Sequence, residues 1–347
     1  MKYHWISLLI ILIVIVVIAL IYNTNDFLWK ETGLTFHSED PRNYRFHFVM
    51  ITRDTDEEYW EEVHAGALKV ANQEKVALEI FNPRFLDVKE MERFLEMSVL
   101  SSVDGIMVSI PNNPSIKSLI HEAIGKKIPV VALSNDIDDL KQLSTVGINT
   151  YDLGYKTGNA LIKALSGSVK IAVLVDSNYS RTNYYHYLQG IQDALRGHPG
   201  LQLKLILTSK GGSISAEEQT QSILTNYPEI QAIICSNASD TLGVSKVVVD
   251  LNRVTHVTII GSGFTNEIAN YIKRGVIWGV LTDDPFKLGV QSMLTVIRLK
   301  QGQTLQEKYN SPLLLINGDN VHSYLNTMEK DEKHGNNKPK NTPKHSQ

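Results

Sequence analysis

The sequence predicts an α/β protein made of two similar halves, each a doubly wound parallel sheet with helices on both faces. Short segments rich in Val, Ile and Leu alternate with helical patterns along most of the chain, which is typical of buried parallel strands linked by helices. This alternation breaks once, near residues 134–150, where two strand-like segments occur with no helix between them, and then restarts. We interpret the break as the junction between the halves.

The predicted strands are short and mostly apolar on both faces. They cover residues 45–51, 77–81, 105–109, 129–133, 169–175, 202–208, 231–235, 257–261 and 277–281. The predicted helices cover residues 57–74, 87–101, 114–126, 151–166, 183–196, 215–226, 239–251, 265–274 and 286–301. This repeated order of strand and helix predicts right-handed crossovers.

An uncharged apolar run at residues 5–22 is long enough to cross a bilayer as a helix. Lys2 precedes the run, and this asymmetry places the N-terminus inside and the bulk of the chain outside. The alternative is a cleavable signal peptide, but such a peptide has a shorter apolar region that ends in small residues, whereas this run ends in "LIYNTND". We therefore predict that residues 1–22 are an uncleaved signal anchor in the cell membrane.

Two flanking segments lack the regular spacing of apolar residues that indicates a helix or a strand. Residues 23–43 are interpreted as a stalk. Residues 326–347 are polar and contain Pro, Gly, Lys and Asn, so they are predicted to be a disordered tail, because such a composition buries too little apolar surface to offset the entropy of ordering.

Several function classes lack sequence support. The net charge of −3 gives no indication of a nucleic-acid partner. "GSGFTN" (261–266) lacks the third glycine of a dinucleotide-binding loop, and the histidines do not form a zinc motif. No cofactor, metal or catalytic residue is predicted, although a glycosidase that uses carboxylates at strand ends remains an alternative. The single cysteine, Cys235, lies in an apolar run and is predicted to be a buried thiol.

Ligands of open α/β sheets bind beyond the carboxyl ends of the strands. Carboxylates, amides, an arginine and aromatic rings follow the predicted strands, which suits a neutral polyhydroxylated ligand. The candidate ligand-binding residues are Asp54, Asp56, Tyr59, Trp60, Ser134, Asn135, Asp136, Arg181, Asn183, Tyr185, Asn237 and Asp283. Two alternatives stay open: Asp54 and Asp136 suit turn or helix caps, and Trp60 lies on an apolar helical face and suits a core.

From about residue 44 to 322 the chain resembles type I periplasmic sugar-binding proteins of the ribose-binding kind, which share their core with the lactose-repressor family. Matching segments occur in the family's order, among them "DEEYWEEVHAGALKVA", "KKIPVVALSND", "YPEIQAIICSNASDTLG" and "GVIWGVLTDDPFKLG". The resemblance implies two lobes joined by three hinge crossings that close on a small molecule. It implies one lobe from 44–148 plus 284–312 and another from 149–283 plus 313–325.

The resemblance also implies roles for particular residues. Tyr59 and Trp60 fall where family members place two rings that stack on the sugar. Asn237 matches a sugar-binding asparagine. Asp283 and Asn149 fall at hinge crossings, and the family usually has Gln or Asn at the position of Asp283.

This chain also departs from the pattern of the family. Ser134 stands where pentose-binding members usually carry Asp, with Asp136 two residues on as a substitute, and Gly263 stands where another Asp is expected. Tyr185 stands where an Arg is expected, with Arg181 one turn away. A ligand with fewer hydroxyl groups, or one recognised differently, is therefore a further expectation.

The N-terminal run bears on the role of the protein. A predicted membrane span stands where a repressor would carry its DNA-binding headpiece, so the sequence argues against a repressor. An uncleaved anchor resembles the ligand-sensing partner of a membrane histidine kinase. The alternative is the substrate-binding component of an ABC sugar importer, with a permease as the partner.

Overall fold

The computed structural model describes residues 44–52, 57–83, 87–111, 113–133, 140, 143–177, 179–209, 212–303 and 308–335. Within these ranges no helix has the length and apolar character needed to cross a membrane. The predicted anchor, residues 1–22, and the predicted stalk, residues 23–43, lie outside them.

The described chain alternates between strands and helices. The strands are β1 Phe46–Ile51, β2 Val76–Phe81, β3 Gly105–Val108, β4 Val130–Ala132, β5 Ser144–Gly147, β6 Val169–Val175, β7 Leu201–Thr208, β8 Ile230–Cys235, β9 Thr258–Ser262, β10 Gly279–Thr282, β11 Lys308–Asn310 and β12 Leu314–Asn317. The helices are α1 Glu57–Glu74, α2 Val88–Leu100, α3 Pro114–Gly125, α4 Thr150–Ala164, α5 Arg181–Leu195, α6 Gly212–Asn226, α7 Ala238–Asp250, α8 Asn266–Lys273, α9 Pro285–Lys300 and α10 Val321–Gly335.

The strands form two six-stranded sheets, which define a first and a second lobe. The first has the order β11-β5-β4-β3-β1-β2 and the second β12-β10-β9-β8-β6-β7. The described pairings are parallel except that of β10 with β12. The chain changes sheet after β5, again between β10 and β11, and again between β11 and β12. The predicted fold class, two lobes with parallel sheets, is confirmed.

The apolar strands are explained by a core on each face of each sheet. In β1, Val49 and Ile51 belong to one buried cluster, whereas Phe48 and Met50 belong to another on the opposite face. Because successive side chains of a strand point to opposite faces, a strand covered on both sides has to be apolar throughout. Cys235, at the end of β8, is a buried free thiol, as predicted.

Helices α1 and α9 pack closely in the first lobe through two glycines. A Cβ atom added to Gly66 would lie 2.0 Å from the backbone oxygen of Phe286, and one added to Gly289 would lie 1.9 Å from that of Val63. No side chain fits at such distances. This contact fixes α9, which follows a crossing from the second lobe, against the helix that carries Tyr59 and Trp60.

The C-terminal region contains elements that the sequence did not predict. β11 and β12 each complete the edge of a sheet, and α10 continues to Gly335, within the segment predicted to be disordered. The apolar stripe of α10 explains its docking: Val321 is buried in a core cluster of the second lobe, and Tyr324, Leu325 and Met328 pack against that cluster. Residues beyond Gly335 lie outside the described ranges.

Candidate ligand-binding cleft

The first turn of α1, in the first lobe, contacts the second lobe at two points. The Tyr59 hydroxyl donates a hydrogen bond to Oδ2 of Asp283, at 3.3 Å. Oε2 of Glu58 accepts hydrogen bonds from the backbone N and Nδ2 of Asn266, at 2.9 and 3.4 Å. Both contacts lie where strands of the two sheets end, and the space between these strand ends is called the cleft below.

The adjacent rings of α1 occupy different environments. Trp60 is only 6% exposed and belongs to a core cluster with Phe48, Met50 and Leu288. Tyr59 is partly buried against the same cluster, with its ring edge-on to that of Trp60 at a centroid distance of 5.3 Å. Trp60 therefore lies where the core alternative places it, whereas Tyr59 has its hydroxyl at the junction of the lobes.

Asp283 lies at the crossing between β10 and α9 and is 1% exposed. Burial raises the pKa of its carboxyl group to about 6, although nearby hydrogen-bond donors, among them the Ser311 and Tyr59 hydroxyls, lower it. The next residue, Asp284, is the N-cap of α9 and accepts a hydrogen bond from the backbone N of Lys287 at 3.0 Å. The two neighbouring acids thus differ in role, and Asp283 is the one buried at the junction.

In the second lobe, Asn237 connects a strand end to a buried acid. It follows β8 and caps α7, because its Oδ1 accepts from the backbone N of Asp240 and its Nδ2 donates to Oδ2 of Asp240, both at 2.7 Å. Asp240 is 0% exposed, and burial raises its pKa to about 6. The Ser209 hydroxyl opposes this rise, and the Asp176 carboxylate adds to it. Sequence reasoning missed Asp240, although its position three residues after Asn237, at the start of a predicted helix, is the spacing of an N-cap and the residue that it caps.

The other second-lobe candidates lie on the first turns of α5. Arg181 and Tyr185 are exposed, and the guanidinium group lies 5.7 Å from the centre of the Tyr185 ring. The backbone N of Asn183 donates to Oγ of the cap residue Ser180 at 3.1 Å. The side-chain Oδ1 of Asn183 is buried and has no hydrogen-bond partner among the described residues. The structure thus gathers these three candidates on one helix of the second lobe.

Five candidates lie outside the described residues, namely Asp54, Asp56, Ser134, Asn135 and Asp136, and their roles stay predictions. Asn149, at the crossing after β5, caps α4 by accepting from the backbone N of Asp152 at 2.9 Å. Across the described ranges, no group of three or more His, Cys, Asp or Glu side chains is arranged to hold a metal ion.

A partly buried chain of polar side chains at the strand ends of the first lobe was not expected from the sequence. Oγ1 of Thr52 lies 3.0 Å from Nε2 of His64 and donates to Oδ1 of Asn82 at 3.4 Å. Thr52 follows β1, and Asn82 follows β2. Burial lowers the pKa of His64 to about 4, so the imidazole is neutral at pH 7. The signal available in the sequence was a lone histidine one turn after Trp60 on the inner side of α1.

Comparisons with known proteins agree with the arrangement of two lobes. The sequence profile described as "Periplasmic binding protein domain" matches residues 48–304. The D-ribose/D-allose-binding protein of Pseudomonas aeruginosa is 20% identical over 276 residues, which cover 77% of this chain and 86% of that protein.

Two solved structures have the same fold. GanP, a glucose-galactose binding protein from Geobacillus stearothermophilus, is 27% identical, with a TM-score of 0.74 over 79% of this chain and 98% of that chain. A chain in a complex described as XylFII–LytSN is 22% identical, with a TM-score of 0.70 over 79% of this chain and 98% of that chain.

Proposed function

Because the chain belongs to the periplasmic binding protein domain family, we propose that it is an extracytoplasmic binding protein whose two lobes close on a monosaccharide or a similar polyol. The observation that supports this most is the contact of Tyr59 with Asp283, which joins the two lobes at the carboxyl ends of their strands. In open α/β sheets these ends are the place of ligand binding. Relatives whose names include ribose, allose, glucose and galactose favour a sugar.

In this proposal both lobes supply ligand contacts. The first lobe contributes Tyr59 and the loop residues Asp54, Asp56, Ser134, Asn135 and Asp136. Asn237 and Asn183 contribute amide groups from the second lobe. Oδ1 of Asn183, which is buried and has no hydrogen-bond partner within the described part of the chain, is an acceptor that a ligand hydroxyl can satisfy. The exposed Arg181 and Tyr185 form the rim of the cleft. Asp283 contacts the ligand from the crossing between β10 and α9.

We further propose that residues 5–22 anchor the protein in the cell membrane and that it senses ligand for a membrane histidine kinase. A membrane anchor favours this role, because a protein held at the membrane does not diffuse freely as a binding protein for import usually does. The XylFII–LytSN complex is a case in which a protein of this fold occurs in a complex with another protein. Ligand transmits a signal only if it binds the closed form better than the open form, so contacts from both lobes are required.

A thermal-shift screen tests ligand binding. The sample is the fragment 41–347, which keeps α10 docked on the second lobe, and the panel contains pentoses, hexoses, deoxysugars, inositols and non-sugar controls. A micromolar ligand at millimolar concentration stabilises a protein by about 4 kcal/mol. We expect a sugar to give such a shift; stabilisation by none of them, or by a non-sugar alone, would overturn the proposal.

The role is tested on the full chain in its native membrane. We expect crosslinking to capture a histidine kinase, with a yield that changes when the sugar identified by the screen is added. If deletion of the gene abolishes uptake of that sugar and no kinase is captured, the protein is the binding component of an importer instead.

A further inference from the structure

Glu58 connects the first lobe to a helix end of the second lobe. Its Oε2 atom accepts from the backbone N of Asn266 at 2.9 Å and from Nδ2 of the same residue at 3.4 Å. Asn266 is the first residue of α8, so its backbone N–H group has no acceptor within its own helix. Glu58 supplies that acceptor from the opposite lobe.

The end of α8 is therefore capped twice. Thr265 is the local cap, and its Oγ1 accepts from the backbone N of Ile268 at 3.1 Å. Glu58 adds a carboxylate at the positive end of the helix dipole, where negative charge is stabilising. The Thr265 cap persists whatever the position of the lobes, whereas the Glu58 contact exists only while they are together.

We propose that Glu58 is a latch that sets the fraction of the empty protein in the closed form. This inference rests on the proposed function in one respect: closure is taken as the state that binds ligand. The apparent affinity of a ligand falls in proportion to the population of the form that binds it. The latch therefore regulates the affinity of the cleft.

The test measures the distance between the lobes in the full chain in detergent, without ligand. Spin labels are placed on Glu96→Cys of α2 and Gln221→Cys of α6, which are exposed, whereas the native Cys235 is buried and inaccessible to the label. Pulsed electron paramagnetic resonance is recorded for the labelled protein, for Glu58→Ala and for Glu61→Ala. Glu61 is the matched control, an exposed carboxylate on the same helix.

We expect Glu58→Ala to gain a population with a longer distance that Glu61→Ala lacks, and to weaken the apparent affinity for a bound sugar several-fold. Distance distributions that are the same for Glu58→Ala, Glu61→Ala and the parent would overturn the latch. The distance measurement needs no ligand, so it decides on the latch even if every sugar fails to bind, which would refute only the proposed function.

Discussion

Tyr59 and Asp283 lie 224 positions apart in the sequence and are joined by a hydrogen bond of 3.3 Å between the two lobes. The bond connects the first turn of α1 to the crossing between β10 and α9. One end is a half-buried ring at the cleft, and the other is a carboxyl group that burial holds partly protonated near pH 6.

Removing the Tyr59 hydroxyl leaves Asp283 with one donor fewer. A net hydrogen bond contributes about 1 kcal/mol, so Tyr59→Phe should lower the free energy of unfolding by about that amount. Because the bond lowers the pKa of Asp283, the pKa should rise further in the variant. Urea denaturation checks the first effect, and NMR titration of the Asp283 side chain checks the second. An unchanged pKa would show that the bond is absent in solution.

Replacement of Trp60 separates its two assigned roles. If Trp60 is a core residue, Trp60→Ala should lower the free energy of unfolding by about 3–5 kcal/mol. Trp60→Phe, which keeps an aromatic ring in the core, should lower it much less. Denaturation and sugar titration of both variants measure the two roles separately. A stable Trp60→Ala protein that loses affinity would instead support stacking of the ring on ligand.

Asp283→Asn should stabilise the protein at pH 7. The folded pKa of Asp283 is raised from 3.8 to about 6, so its favourable contribution is present below pH 3.8 and is lost as the pH rises through 6. A neutral amide avoids this loss, which amounts to about 3 kcal/mol at most. Denaturation of parent and variant from pH 4 to pH 7 should show a difference that grows with pH. A difference independent of pH would contradict the assignment.

His64 should destabilise the fold on acidification. Its folded pKa is lowered from 6.5 to about 4, so the unfolded chain binds a proton more tightly, and stability falls as the pH drops from 6.5 towards 4. The loss is about 3 kcal/mol when complete. The difference in unfolding free energy between parent and His64→Gln, measured across this range, isolates the contribution of His64 from other titrating groups. If His64→Gln loses stability on acidification as steeply as the parent, the imidazole is not the cause.

The regular part of the fold was predictable because the local pattern and the tertiary environment agree. β1 is apolar at consecutive positions, and both of its faces are buried. β11 and β12 were not predictable, because each is short, carries exposed residues and owes its strand conformation to pairing with a distant strand. A family resemblance predicts Asp283 at a crossing, and in the structure Asp283 lies between β10 and α9.

The candidate site was harder to predict, because burial depends on contacts between distant segments. Trp60 and Tyr59 are adjacent in sequence, yet one fills the core and the other meets the opposite lobe. Asp240 and His64 are polar residues whose burial shifts their pKa in opposite directions, and the local spacing that marks each of them does not show that it is buried. The Glu58 contact with Asn266 depends on two lobes coming together, which no sequence period encodes.

The most direct test of the central claim is calorimetric titration of the full chain with the sugar that stabilises it best. The account predicts binding of one sugar per chain, weakened at least tenfold in both Tyr59→Ala and Asn237→Ser. Serine retains the N-cap of α7 but removes the amide, which also donates to Oδ2 of Asp240, so the affinity is measured on variant protein that denaturation shows to be folded. Binding that survives both substitutions, or no heat of binding from any sugar, would contradict a cleft that closes on a sugar with contacts from both lobes.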